Sequence, residues 1–308
     1  MFHLVRVGPL LILMLWNARA AGKDIFVSPS GNDSSPCTKE QPCKTLNEAF
    51  LRVSGHNSTR IMLAKGNYTM QKSHNFTRMA AFRLFGLGSV RDDVTITCDA
   101  NASLSFTLSE NISFKRITLL KCDGWFESSY GRNNFLNLRG ANFMAALDFR
   151  YCRNLSISDV EISSSPGLGA NLYDVGGFVN FTNSTFADNK AASNDILEEG
   201  SELELIPRYV HSGGGVFVIL NKYGDSTVNV TPSEHDSYQH NNNYLFTDCH
   251  FLRNEARWSN VGESKDLNTP ELPFSRGGGL AVFFKGNASG CKVAISACKF
   301  IQIGRAHV

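Results

Sequence analysis

The chain is 308 residues long, 42% hydrophobic and 19% charged, with a formal net charge of +2, a balance that suits a large folded core and excludes a disordered chain. Its lysines and arginines are scattered, so the basic footprint that nucleic acid requires is missing and that partner is excluded. Twenty-two phenylalanines against six methionines point to rings stacked in a core rather than to an adaptable surface.

Residues 1–20 read as a secretory signal: Arg6 precedes the apolar run Val7–Trp16, and Ala18-Arg19-Ala20 has the small-x-small form of a cleavage site. That run is too short to span a bilayer. Residues 21–81 read as an N-terminal cap with the first coils. Ile25-Phe26-Val27 is a strand that enters the turn-rich run Ser28–Pro42. Thr45-Leu46-Asn47-Glu48 is a capping box, and Leu46, Ala49, Phe50 and Val53 place one apolar stripe on a helix of about nine to eleven residues. Arg60–Ala64 is a strand and Lys65-Gly66-Asn67-Tyr68 a turn. A helix so placed covers the first coil and shields a sheet edge.

Residues 82–302 carry a pattern of paired apolar positions that returns five times: Ile112/Phe114/Ile117/Leu119, Leu155/Ile157/Val160/Ile162, Val179/Phe181/Ser184/Phe186, Tyr244/Phe246/Cys249/Phe251 and Val293/Ile295/Cys298/Phe300. Alternation within a pair is the signature of a half-buried strand, and the two-residue break between pairs suits a corner. One such strand cannot bury its apolar face alone, so the units stack into a solenoid. The fold expected is therefore all-β: a single-stranded, right-handed parallel β-helix with a short N-terminal capping helix. The second column falls at Phe114, Ile157, Phe181, Phe246 and Ile295, with gaps of 43, 24, 65 and 49 residues. One coil then takes about 22 to 25 residues, and the larger gaps hold further coils or loops.

Phe186-x-x-Asn189 leads to Gly213-Gly214-Gly215, and Phe251-x-x-Asn254 leads to Gly277-Gly278-Gly279. Each triplet suits a corner where backbone meets backbone. Residues 190–212 and 255–276 are expected to leave the same corner of successive coils, beside a polar loop at 224–243. Loops gathered on one face are where a solenoid binds. Tyr209, Arg257, Trp258 and Arg276 lie in these loops and combine stacking faces with forked donors, the chemistry that sugar rings and acidic glycans favour. Each serves equally well as a loop anchor. Outward Asp159, Glu161 and Asp248 fall on different coils, and His235 and His240 have no acidic partners, so these read as solvated groups. Residues 303–308, Ile-Gly-Arg-Ala-His-Val, break the pattern in mid-coil and resemble translated adapter sequence; they are expected to be a non-native tail on a C-terminally truncated helix.

Eleven acceptor sequons (Asn32, Asn57, Asn67, Asn75, Asn101, Asn111, Asn154, Asn180, Asn183, Asn229 and Asn287) agree with export and glycosylation. Turn chemistry accounts for some of them, and Asn180 and Asn183 are too close for both to carry glycans. Eight cysteines in an exported chain imply disulfides rather than a metal cluster. Cys37 with Cys43 and Cys98 with Cys122 are the best pairs. Cys249 and Cys298 share a column position within disulfide reach, although a ladder of reduced thiols fits as well.

The segments Phe26-Val27-Ser28-Pro29-Ser30-Gly31-Asn32-Asp33, Pro42-Cys43-Lys44-Thr45-Leu46-Asn47-Glu48-Ala49 and Ile61-x-Leu63-x-x-Gly66-x-Tyr68 resemble the first coils of pectin-lyase-like right-handed β-helix proteins. The Phe-x-x-Asn and Gly-Gly-Gly units resemble the repeats of polymorphic outer-membrane-type and extracellular β-helix proteins. The resemblance implies either a polysaccharide lyase, hydrolase, epimerase or esterase, or a non-catalytic adhesin or surface ectodomain. The Asn-Thr-Asp, Asp-Asp, Gly-His-Gly, Arg-Ile-Lys series of polygalacturonases does not occur as a series, nor do the esterase signature and the Arg-x-Pro-x-x-Arg of pectate lyases. The sequence thus favours a secreted or cell-surface glycoprotein that acts as a non-catalytic recognition or adhesion scaffold and binds carbohydrate, with a polysaccharide-active enzyme as the alternative. It calls for no cofactor. The partner expected is an extracellular glycan or protein, with membrane contact only through an anchor beyond residue 308.

Overall fold

The structure is a computed structural model and describes residues 22–53, 58–100, 102–125, 144–192, 214–221, 242–257, 278–285 and 291–306. The signal expected at 1–20 lies outside these residues. Lys23–Val27, Ser58–Leu63, Ala81–Gly86, Glu110–Leu120, Arg153–Ser163, Gly176–Thr182, Asn243–Thr247 and Lys292–Ser296 pair in parallel, each with the next. Successive passes of the chain therefore lie one above another, as a parallel β-helix. Ile25, Ile61 and Leu84 lead, pair by pair, into the expected column of Phe114, Ile157, Phe181, Phe246 and Ile295, which is in register. The first seven are fully buried.

A second wall continues round the corner through Gly66–Met70, Val94–Cys98, the later halves of Glu110–Leu120 and Arg153–Ser163, then Thr185–Ala187, His250–Leu252 and Lys299–Ile301. The corner between the walls is a column of left-handed residues, Arg116, Asp159, Asn183, Asp248 and Ala297, with φ between 47° and 56°. Only a forced geometry holds non-glycine residues there. It is held because the Asn183 and Asp248 amides donate to Thr247 and Ser296 carbonyls one coil up, at 3.0 and 3.1 Å. The two-residue break in each repeat is this corner.

A third wall is formed by His74–Thr77, Leu104–Thr107, Met144–Arg150, Leu168–Tyr173, Val216–Asn221 and Leu280–Lys285. Glu110–Leu120 pairs directly with Arg153–Ser163, so the long gaps hold inserted segments and no extra coil. Sequence spacing could not separate the two cases, because a loop and a coil consume residues alike. Three further differences concern local elements. Asn67 and Tyr68 belong to the strand Gly66–Met70 rather than a turn, because Tyr68 is inward and its hydroxyl donates to the Ala64 carbonyl at 2.7 Å. Lys190–Ala192 and Glu255–Arg257 pair with each other before their insertions begin. Gly304–Ala306 pairs with Glu255–Arg257 and Ile303 packs on the core, so this part of the expected tail completes a coil; backbone pairing asks little of side-chain identity.

Cys37–Cys43 and Cys98–Cys122 are disulfide-bonded. Cys249 and Cys298, whose shared column suggested a third bridge, are instead free thiols. Each Sγ donates to a carbonyl one coil below, Phe181 O and Phe246 O respectively, at 3.4 Å. Ser184 makes the same contact with Ile157 O at 3.4 Å, so the column selects a small donor. Burial pushes the Cys249 thiol up to about 12 and keeps that donor protonated.

The capping helix spans Leu46–Leu51, and Thr45 accepts the Glu48 amide at 3.3 Å. It is shorter than the apolar stripe suggested, since Ser54-Gly55 follows and favours reversal over another turn. Phe50 packs on His74 and Phe76, with ring centroids 4.5 and 5.7 Å away. His74 Nε2 donates to Asn47 Oδ1 at 3.2 Å, and burial, assisted by Lys72, pulls its pKa from 6.5 down to about 4. The unfolded chain thus binds a proton that the folded chain resists. Stability is complete above pH 6.5 and declines as pH falls toward 4. The expected loss is on the order of 2 kcal/mol, read as a lower urea midpoint at pH 4.5 than at pH 7 beyond that of a His74→Gln control. Parallel pH curves for the two proteins would refute it.

Candidate functional site

After each of the last five second-wall strands the chain passes a further corner of left-handed residues, Lys121, Ser164, Asp188, Arg253 and Gln302. The next residue turns inward. Asn189 and Asn254 are fully buried there, and they explain the Phe-x-x-Asn spacing: the phenylalanine enters the ring stack, two residues make the corner, and the asparagine fills it. Phe186, Phe251 and Phe300 stack at 5.4 and 4.8 Å. Asn254 Nδ2 donates to Phe186 O at 2.8 Å, while its Oδ1 accepts both the Asn189 amide and Asn189 Nδ2 at 3.1 Å. Asn189 repeats the pattern, with Nδ2 on Ile162 O at 3.0 Å and Oδ1 accepting from the Ser165 amide at 3.1 Å.

The glycine triplets pack against this ladder. A Cβ on Gly214 would lie 2.6 Å from Glu255 O, and one on Gly278 only 2.1 Å from Asn254 O. The two motifs are halves of one joint, and its buried asparagines stand in sequence between residues that line a groove.

Ser164, Ser165, Pro166, Asp188, Lys190, Arg253, Glu255 and Gln302 line this open groove, of about 670 Å³. It follows the stacking direction over four coils. Arg253 donates a forked pair to Asp188, at 2.7 and 2.6 Å. The guanidinium hydrogen bond holds the Asp188 carboxyl below its usual range, with Lys190 adding to the effect, and raises Arg253 in turn. Lys190 and Glu255 are register partners on neighbouring coils. The groove is thus lined by charges of both signs on its two middle coils, with hydroxyl groups at one end and an amide at the other.

Arg257 ends the strand Glu255–Arg257 that forms one rim, although its side chain, with Tyr209, Trp258 and Arg276, lies outside the described residues. The lining residues went unnoticed because a left-handed corner accepts Ser, Asp, Arg or Gln without a consensus; the signal available was the position before each buried asparagine.

A second polar cluster lies on the outer face of the third wall. Asp148 is fully buried, and its carboxylate accepts from Asn171 Nδ2, Arg150 Nε and Ser105 Oγ at 2.6, 2.8 and 3.2 Å. Its neighbours in the same face, Ala145, Leu168, Phe217 and Ala281, are also withdrawn from solvent. A carboxylate so enclosed and satisfied fixes structure.

Among the described residues no three His, Cys, Asp or Glu side chains are placed to hold a metal ion, and no helix is long and apolar enough to cross a membrane. Asn32, Asn67, Asn75, Asn111 and Asn183 are exposed, and Asn154 and Asn180 partly so; Asn57, Asn101, Asn229 and Asn287 lie outside the described residues. Asn111 and Asn154 occupy left-handed corners, with φ of 51° and 59°. Asn154 Nδ2 donates to Asn111 Oδ1 at 3.1 Å, the turn chemistry that competes with a glycan role.

Compared with protein-family models the chain matches none, and a comparison with curated proteins returns no match. Among solved structures, a rhamnogalacturonan lyase aligns with 92% of this chain and 56% of its own length, at 11% identity and a TM-score of 0.43. The chain thus spans just over half of that protein, and a likeness of this degree carries no argument about activity.

Proposed function

We propose that this β-helix is a secreted or cell-surface glycoprotein that binds an extended carbohydrate without cleaving it, as a recognition or adhesion scaffold. The groove carries this reading. Its polar groups recur from coil to coil at the strand spacing of ~4.8 Å, so a chain laid along it meets a polar group at each step, with the charge differing from coil to coil. The insertions that hold Tyr209, Trp258 and Arg276 begin shortly after Lys190 and Glu255 in sequence. Asp188 is tied to Arg253, and a carboxylate held ionised cannot serve as the general acid of a hydrolase.

The test is retention of the full chain on an array of neutral and acidic glycans. Arg253→Ala is expected to weaken retention about tenfold, the scale of one charge-assisted contact, while melting stays nearly unchanged because the pair is exposed. Unsaturated or reducing products released from uronate polymers would overturn the proposal, as would failure to bind any glycan offered.

A further inference from the structure

Most of the described phenylalanines are core, but Phe178 is 71% exposed. The strand Gly176–Thr182 carries one residue more than Arg153–Leu155 below it, since Arg153 pairs with Gly176 and Leu155 with Val179. Gly177 absorbs the irregularity with φ of +75°. Phe178 and Asn180 then point outward side by side, as alternate residues of a strand do. Asn180-Phe181-Thr182 is an acceptor sequon. The Thr182 hydroxyl donates to Asn180 Oδ1 at 2.9 Å, and Asn180 Nδ2 has no partner among the described residues. Leu245, 41% exposed, stands directly above Asn180.

We propose that Asn180 carries an N-linked glycan whose first sugar rests on the ring of Phe178, with Leu245 at its edge. In the attachment, the Nδ2 of Asn180 displaces the diphosphate from C1 of a polyprenyl-diphosphate-linked oligosaccharide. The C1–O bond breaks, the N–C1 bond forms, the amide gives up one proton, and the lipid diphosphate leaves. The apolar face of the pyranose then covers a ring that otherwise stays in water. Asn183 has no such platform: it sits in the left-handed corner, and its Nδ2 donates to Asp159 Oδ1 at 3.3 Å. This proposal concerns a glycan borne by the chain and is independent of what the groove binds.

The test expresses the full chain through the secretory pathway of cultured animal cells and maps glycopeptides by mass spectrometry. Asn180 is expected to be occupied. Asn180→Gln is then expected to lower the melting temperature by about 2 to 4 °C in the glycosylated protein, to do so only while Phe178 is present, and to have no effect in chain made in bacteria. A bare Asn180, a chain that fails to enter the pathway, or an equal shift in the Phe178→Ala background would each overturn the proposal.

Discussion

Asn254→Ala is expected to destabilise the fold by about 4 kcal/mol, measured as the fall in unfolding free energy in urea. The magnitude follows from what the change leaves behind. Asn254 is fully buried, and alanine strands three groups at once: the Phe186 carbonyl, the Asn189 amide and one donor of Asn189 Nδ2. An orphaned buried group costs about 1 to 3 kcal/mol, and partial relaxation or an admitted water recovers some of that total. Asn254→Asp tests the donor alone, since it keeps shape and the Oδ1 acceptor but loses the bond to Phe186 O; it is expected to cost at least as much, because a carboxylate is placed in a dry corner. A loss under about 1 kcal/mol for the alanine variant would mean that the ladder is ornamental.

The difference between what was legible in the sequence and what was not has a physical basis. Inward columns were legible because strand periodicity and burial impose the same spacing on every coil, which is why Phe114, Ile157, Phe181 and Phe246 could be aligned without coordinates. The outer face of the third wall was not. Asp148, Asn171 and Phe217 alternate with core residues yet are themselves buried, so burial on both faces erases the period-two contrast. Phe178 shows the limit of composition, which assigned phenylalanines as a group to the core, whereas alternation with inward Val179 and Phe181 turns this one to solvent. The Cys249 and Cys298 column was recognised as a column, but spacing alone cannot tell a bridge from a pair of thiols. Ser184 decides that point, since a serine in the same place needs only a carbonyl to donate to. Near the groove, the sequence marked the buried asparagines and the glycines because their chemistry is restrictive, and passed over the lining because corners tolerate many side chains.

Gly215→Ala is expected to cost at least about 3 kcal/mol, the second large effect. The added Cβ would stand 2.3 Å from the Gly279 carbonyl oxygen and 2.9 Å from a ring carbon of Phe251. That is roughly 1 Å short of ordinary contact, and the obstacle is backbone that cannot swing aside. The same carbonyl accepts the Val216 amide at 2.9 Å, while the Gly215 amide donates to Gly278 O at 2.8 Å. Moving the coils apart to admit a methyl group therefore lengthens the bonds that hold them together. Gly22→Ala is the control, because its nearest neighbour would be the Ser58 Cβ at 3.3 Å near the end of the first strand, where a few tenths of an ångström are easily found. If the triplet is the close-packed half of the joint, Gly215→Ala lowers the melting temperature by about 6 °C or more and Gly22→Ala leaves it within about 1 °C. Equal shifts for the two variants would show that the coils do not meet closely at Gly215.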